Sequence, residues 1–294
     1  MTTLQSKPQI TLKNILFATD FNAPACRALP FAVAVASRYG ARLYAAHAIP
    51  REAYALASPD SFEQVLRQAE DLAGCALNQT IVPLRHQGLE CDPLVGNGDV
   101  VEVINHFAQE YAADLLVVGT SSRAGFGKVL LGSVAEELIR ESPCPVLTAG
   151  PQVMTLASEG VHNILCATDF SPASARATEF ALFMAAEYEA RLTLVHVMEG
   201  LPRTSPHLAV QLIQKRMRET IPAEPELFHE PEIVVETGAV GEGILRLASD
   251  CSADLIVMGV RGAGGFGQAA SRFGSIAHKV VSQAPCPVLT VGEA

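Results

Sequence analysis

The chain has 294 residues, 49% of them hydrophobic, which is enough for two domains with buried cores. Its 21 basic side chains against 31 acidic ones give a net charge of −10, and the absence of a basic run argues against binding nucleic acid or an anionic membrane surface. No apolar segment reaches the ~18 residues that span a bilayer, and the N-terminus has no apolar signal region, so we expect a cytoplasmic protein.

The sequence contains an internal repeat, and this repeat indicates the domain organisation before any single element is considered. NILFATD at residues 14–20 returns as NILCATD at 163–169, and ADLLVVG at 113–119 returns as ADLIVMG at 253–259. We therefore predict two α/β domains, at residues 1–150 and 161–294, joined by a linker at 151–160.

Within each copy, apolar segments typical of strands alternate with segments typical of helices. The first strand is followed by Asn22, or by Ser171 in the second copy, and either residue suits the N-cap of a helix. A polar stretch after the second strand favours a helix without readable bounds. Strands are predicted in the first copy at 14–19, 42–48, 91–95, up to Gly119 and at 145–149, and in the second copy at 191–197, 232–237, up to Gly259 and at 287–291.

Five strands with helices between them predict a doubly wound, Rossmann-like α/β domain in each half: a five-stranded, mainly parallel sheet with helices on both faces. Ligands bind such sheets beyond the carboxyl ends of the strands, where the strand order reverses, which we expect between strands one and four. Asp20 ends strand one and Gly119 ends strand four. We therefore expect the carboxylate and the loop after Gly119 to lie together.

The loop after strand four is rich in glycine in both copies. It reads GTSSRAGFGKVLLGS at 119–133 and GVRGAGGFGQAASRFGS at 259–275. Glycines allow the backbone to approach a ligand closely, and a Gly-Ser pair that opens a helix directs free N–H groups towards an anion. A strand, a glycine-rich turn and a helix start in this order favour phosphate binding.

Together these segments resemble the universal stress protein family in its tandem, two-domain form. The resemblance rests on the aspartate of strand one, the histidine near the end of strand two (His47 and His196) and a motif of Gly, two residues, Gly, nine residues and Gly-Ser. It implies a nucleotide alpha-hydrolase-like fold and binding of adenine nucleotide, ATP with or without Mg²⁺.

The resemblance also implies roles for single positions. Asp20 would contact the ribose, the backbone around Ala48 would meet the adenine, and the phosphates would lie on the glycine loop. In the first copy the loop positions are Gly119, Ser122, Gly132, Ser133 and Val134. The matching positions of the second copy are Asp169, Val197, Gly259, Gly262, Gly274, Ser275 and Ile276.

Neither copy matches the motif in full. In the first copy Ser122 replaces the second glycine, and a non-glycine residue in a left-handed conformation costs roughly 1–2 kcal/mol, or about five- to thirtyfold in affinity. In the second copy Gly262 and Gly274 are separated by eleven residues rather than nine. The sequence leaves open which half binds, and the first copy is preferred if only one does.

Other motifs are weaker. The segment GAGGFG at 262–267 matches a dinucleotide fingerprint but follows strand four, with no acidic residue about 20 positions on. We interpret His47 and His196 as packed residues at strand ends, because no second ligand recurs at metal spacing. The seven cysteines, dispersed and odd in number, argue against a disulfide framework, and Cys144 and Cys286 are interpreted as small buried residues. Loop cations such as Arg123 and Lys128 either contact phosphate or are solvated.

The resemblance implies a stress-response protein whose partners are adenine nucleotide and an unidentified protein, and which acts as a nucleotide-responsive binding module. The resemblance implies that the halves pair through their final strands as an intrachain pseudo-dimer, and it allows a homodimer of the whole chain. Two alternatives remain open: a slow ATPase, for which no positioned base or arginine finger is identified, and an interaction protein with empty sites. We expect no catalytic residue and no protein-bound metal site.

Overall fold

The computed structural model describes residues 10–54, 61–120, 131–153, 160–200, 205–222, 227–260 and 270–293. The first half contains β1 (Asn14–Ala18), α1 (Ala23–Tyr39), β2 (Arg42–Ile49), α2 (Phe62–His86), β3 (Cys91–Asn97), α3 (Val100–Glu110), β4 (Leu115–Gly119), α4 (Ser133–Glu141) and β5 (Val146–Ala149), with a short 3₁₀ turn at Arg51–Tyr54. The second half contains β6 (Asn163–Ala167), α5 (Pro172–Tyr188), β7 (Arg191–Met198), α6 (Pro206–Glu219), β8 (Glu232–Thr237), α7 (Val240–Asp250), β9 (Leu255–Gly259), α8 (Ala270–Gln283) and β10 (Val288–Val291).

The strands form one ten-stranded sheet in the order β3-β2-β1-β4-β5-β10-β9-β6-β7-β8. Each half supplies five parallel strands, and the order reverses between β1 and β4 and again between β6 and β9. This confirms the predicted fold class, two tandem doubly wound α/β units with helices on both faces.

The two halves join through their last strands, as the resemblance implied. β5 and β10 are antiparallel, whereas the other strand pairs of the described ranges are parallel. The hydroxyl of Thr148 donates to the Val288 carbonyl and that of Thr290 to the Val146 carbonyl, each at 3.1 Å. The two bonds are equivalent contacts, one from each half, and they fix the register of β5 against β10. This pairing of β5 with β10 is called the joint below.

Helices cover both faces of the sheet and bury two hydrophobic layers. One layer contains Phe31 of α1 and Leu77 of α2, and the other contains Ile104 of α3 and Leu138 of α4, with matching residues from the second half in each. Because both faces are covered, the strands carry near-continuous apolar runs instead of alternating ones. None of the helices in the described ranges is long and apolar enough to cross a bilayer.

Element bounds differ from the predicted ones by one or two residues. β2 extends to Ile49 because Ile49 pairs with Asn97 at the end of β3, an edge pairing that the sequence pattern does not encode. Ser171 caps α5 by accepting a hydrogen bond from the Ser174 amide at 3.2 Å. Asn22 occupies the N-cap of α1, but its side chain bonds to Asp20 rather than to a helix N–H.

Candidate functional site

Each half has a cavity beyond the carboxyl ends of its central strands, at the point where the strand order reverses. The cavity of the first half, here called the first cavity, has a volume of about 660 Å³. The cavity of the second half, the second cavity, has a volume of about 330 Å³. The predicted residues that line the first cavity are Asp20, Ala48, Gly119, Gly132, Ser133 and Val134, and those that line the second are Asp169, Val197, Gly259 and Ile276.

The remaining predicted positions are not all described. Ser122, Arg123, Lys128 and Gly262 lie outside the described residues. Gly274 and Ser275 were expected to open a helix, but α8 begins at Ala270, so both fall within its range, and their side chains are not described. The sequence placed that helix start at the Gly-Ser pair by analogy with the first copy, where α4 does begin at Ser133 after Gly132.

The strand-one aspartates are held by tight turns. Asp20 accepts a hydrogen bond from the Asn22 amide N–H and a second one from the Asn22 side chain, both at 3.0 Å. Asp169 accepts one from the Ser171 amide at 2.9 Å. The residue between, Phe21 in the first half, has a φ of 62° in the left-handed region, which costs roughly 1–2 kcal/mol for a non-glycine residue. The turn thus holds the carboxylate at the rim of the cavity in a strained but well-supported conformation.

The strand-two histidines line the cavities, a role that the sequence interpretation did not give them. His47 donates from Nδ1 to the Thr19 carbonyl at 2.8 Å and packs against the Phe21 ring at a centroid distance of 4.6 Å. His196 makes the same bond, at 2.8 Å, to the carbonyl of Thr168. With the proton on Nδ1, the neutral ring keeps a lone pair on Nε2. The recurrence of the two histidines at one offset was the available signal, and it marked a shared turn contact as well as packing.

The first glycine of each motif has a packing role. A Cβ on Gly119 would lie 2.1 Å from the Pro24 carbonyl oxygen, and one on Gly259 would lie 2.3 Å from the Ser174 amide nitrogen. Both positions therefore need glycine because a helix N-terminus crosses the end of the strand. Gly132, by contrast, is the N-cap of α4 with φ −63° and ψ 139°, a conformation open to any residue.

Larger side chains at matched positions accompany the smaller volume of the second cavity. Ala48, which lines the first cavity, corresponds to Val197 in the second. At two further positions valine is replaced by a longer residue: Val118 by Met258 and Val134 by Ile276. The same fold thus encloses about half the space.

The exchange of Ala48 for Val197 is compensated on the neighbouring helix. In the first half a Cβ on Gly96 of β3 would lie 2.5 Å from a methyl of Val103 on α3. In the second half the residue of α7 that matches Val103 is Gly243, and a Cβ there would lie 3.1 Å from a methyl of Val197. The valine that fills this space is therefore Val103 of α3 in the first half and Val197 of β7 in the second half. Val197 lies directly beside the cavity.

The two cysteines of the Pro-Cys-Pro segments have raised pKa values. Burial raises the pKa of Cys144 to about 11 and that of Cys286 to about 12, so both are protonated thiols at neutral pH. Cys286 is buried as predicted, whereas Cys144 is only partly buried. Within the part of the chain that the structure describes, no three histidine, cysteine, aspartate or glutamate side chains are grouped for a metal ion.

Comparison with known proteins identifies this architecture. The sequence model of the Universal stress protein family matches residues 11–149 and again residues 160–292. A relative from Thermus aquaticus, described as a universal stress protein in the QAH/OAS sulfhydrylase 3' region, is 35% identical over 138 residues, which are 46% of this chain and 96% of the relative.

Two solved structures have a similar fold over nearly the whole length of this chain. A universal stress protein from Archaeoglobus fulgidus DSM 4304 has a TM-score of 0.75 at 20% identity and covers 96% of this chain and 98% of its own. A putative universal stress protein from Pseudomonas aeruginosa UCBPP-PA14 has a TM-score of 0.63 at 18% identity, with 97% and 95% covered. At these identities the likeness shows the fold alone. Together with the twofold match of the family model, it leads to one conclusion: the chain belongs to the universal stress protein family, with two family domains in tandem.

Proposed function

We propose that this protein is a nucleotide-responsive binding module that takes up adenine nucleotide, ATP, in the first cavity. The observation that carries the proposal is the convergence of Asp20, Ala48 and the start of α4 around about 660 Å³ of space at the switch point of the sheet. The second cavity has the matching aspartate but half the volume, so the first is the principal site.

The chemistry of the cavity suits the parts of a nucleotide. The Asp20 carboxylate, oriented by Asn22, accepts hydrogen bonds from ribose hydroxyls. The N-terminus of α4 at Ser133 presents free N–H groups to phosphate oxygens, and the helix dipole favours negative charge there. Apolar side chains such as Ile104 and Val100 offer a surface for the base. Mg²⁺ bound to the phosphates would offset part of their charge.

Binding of a protein partner would depend on whether nucleotide occupies the first cavity. A ligand that prefers one conformation of the loop between β4 and α4 shifts the population towards that conformation, and thereby alters which protein surface is presented. The described lining residues of the first cavity include no lysine or arginine, and Asp20 and His47 are their titratable side chains. Hydrolysis, if present, is therefore expected to be very slow.

A second candidate is an interaction protein with empty sites. It is favoured by Gly119, whose identity is required by the approach of Pro24 alone, and by Gly132, whose conformation does not require glycine. Under this reading the glycine motif is a packing device and a cap. Measured nucleotide stoichiometry separates the two candidates.

Calorimetric titration with ATP and Mg²⁺, after mass analysis of any nucleotide retained through purification, tests the proposal. The informative variants are Asp20→Ala and its counterpart Asp169→Ala, which remove the same turn contacts in each half. Loss of hydrogen bonds to a charged group is worth roughly 1.5–3 kcal/mol, so Asp20→Ala should weaken binding about ten- to a hundredfold while Asp169→Ala leaves it unchanged. No heat from the wild-type protein at millimolar ATP would contradict the proposal, and selective loss with Asp169→Ala would move the site to the second half.

A further inference from the structure

A histidine of the second half contacts the backbone of the first half beside its cavity. The amide N–H of Leu131 donates to Nε2 of His278 at 3.1 Å, across 147 residues of sequence. Because Nε2 accepts, it carries a lone pair, and the proton of the neutral ring is on Nδ1. His278 is half-buried on α8, so its imidazole is held by packing as well as by this bond.

Leu131 is well placed to transmit this contact to the site. It lines the first cavity and is buried. It directly precedes Gly132, the N-cap of α4, so its peptide unit leads into the helix start whose N–H groups face the cavity. A bond that fixes the Leu131 amide therefore restricts the direction in which this helix start is presented.

The same helix that carries His278 also lines the other cavity. Ile276 and Ala277, the two residues before His278 on α8, line the second cavity. Three consecutive residues of α8 thus contact either the second cavity or Leu131, a lining residue of the first. Any change that rotates or shifts this helix turn reaches both cavities together.

The joint between the halves holds α8 firmly against the first half. A Cβ on Gly150, just beyond the end of β5, would lie 2.9 Å from the carbonyl oxygen of Val281 on α8. The β5–β10 pairing and its two threonine bonds fix the strands below. The His278 contact therefore rests on a close-packed joint rather than on a mobile side chain at the surface.

The residue that makes the contact differs between the two halves. PCPVLT occurs at 143–148 and 285–290, an offset that pairs His278 with Glu136 of α4. A neutral imidazole has one donor nitrogen and one acceptor nitrogen in a planar ring, whereas the carboxylate of Glu136 is charged and has two acceptor oxygens. The first half therefore has no imidazole at the position that matches His278.

We propose that His278 is a positioning residue for the first cavity: it fixes the Leu131 amide, aligns the start of α4 for an anionic ligand, and makes the second half a structural part of the first half's site. The inference rests on the proposed function for its ligand, but the contact itself is measurable without ligand. His278 itself lines neither cavity among the residues described, so its effect is through Leu131.

Three variants of the full chain distinguish the effect of the hydrogen-bond acceptor of His278 from the effect of the packing of its ring. His278→Phe keeps a ring but removes the acceptor, His278→Gln keeps an acceptor oxygen, and Lys279→Gln is a control that breaks only the Lys279–Glu242 ion pair within the second half. One hydrogen bond is worth roughly a two- to tenfold change in affinity. His278→Phe should therefore weaken ATP binding by about that factor and speed hydrogen exchange of the Leu131 amide, whereas His278→Gln and Lys279→Gln should stay near wild type.

Each outcome decides one question. Equal affinity and equal Leu131 exchange in His278→Phe and wild type would overturn the inference, and a loss shared by His278→Gln would assign the effect to ring packing and overturn it as well. No binding of ATP by the wild type would overturn the proposed function and the ligand part of the inference, while Leu131 exchange would still judge the contact. If His278→Phe fails to fold, ¹⁵N spectra of the wild-type imidazole decide instead: a proton on Nε2 contradicts the contact.

Discussion

The first and second cavities are built from the same elements in the same order, yet one has about twice the volume of the other. The turn that holds Asp20 is repeated at Asp169, and the close approach at Gly119 is repeated at Gly259. Two features differ: apolar side chains at strand ends, such as Ala48 against Val197, and the start of the last helix, which is Ser133 in α4 and Ala270 in α8. The turns and glycines that frame the site are therefore shared, whereas its volume changes together with a few side chains and the helix start.

The largest expected difference between the halves is in the rate at which their cysteines are labelled. The exposed cysteines, Cys26 and Cys75, are both in the first half, whereas Cys286 is buried. Burial raises the pKa of Cys286 to about 12, so its thiolate forms only as the pH approaches that value, and at pH 8 the thiolate fraction is about a thousandfold below that of an ordinary cysteine. We expect an aromatic disulfide reagent to label two thiols per chain rapidly at pH 8, and peptide mapping to find both in the first half. Rapid labelling of Cys286 would contradict the packing described here.

The matching glycines at the ends of β4 and β9 should be equally sensitive to substitution. Gly119→Ala places a methyl group against the Pro24 carbonyl, and Gly259→Ala places one against the Ser174 amide. We expect each substitution to lower the free energy of unfolding by about 3 kcal/mol, measured by denaturant titration, because backbone on both sides must shift.

Gly74→Ala in α2, where an added Cβ meets nothing within 4 Å, is the control and should be neutral or stabilising by up to ~1 kcal/mol. A tolerated Gly119→Ala would assign that glycine to ligand approach instead of packing.

The packing exchange offers a way to convert one cavity into the other. Val197→Ala with Glu236→Gly, Gly243→Val and Met258→Val gives the second half the side chains that the first half has at Ala48, Gly96, Val103 and Val118. We expect the second cavity to enlarge and its ATP affinity to rise by about tenfold, since an overpacked side chain that obstructs the ligand costs roughly 1–3 kcal/mol.

Calorimetry on an Asp20→Ala background isolates the second cavity, and Val197→Ala alone is the control, since it leaves a gap beside Gly243. An unchanged affinity in the combined variant would show that the loop between β9 and α8, rather than side-chain volume, limits this half.

The sequence predicted the topology and the strand ends well, because apolar runs, a repeated aspartate and a repeated glycine define them locally. It also placed Asp20, Ala48 and Gly119 around one space, since the carboxyl ends of neighbouring parallel strands meet at one edge. The relative size of the cavities was not predictable, because it depends on β2, β3 and α3 packing together. The contact between His278 and Leu131 was equally hidden, since it joins residues 147 positions apart with no shared motif.

The antiparallel pairing of β5 with β10 has a consequence for how such a protein changes over generations. In a pair of identical chains every substitution occurs twice, once on each side of the symmetry axis, so neither side can gain a feature without the other. Here the two sides are encoded separately within one gene, and a mutation alters one side only. Glu136 and His278 occupy equivalent places with different chemistry, a combination that a symmetric pair of identical subunits cannot inherit.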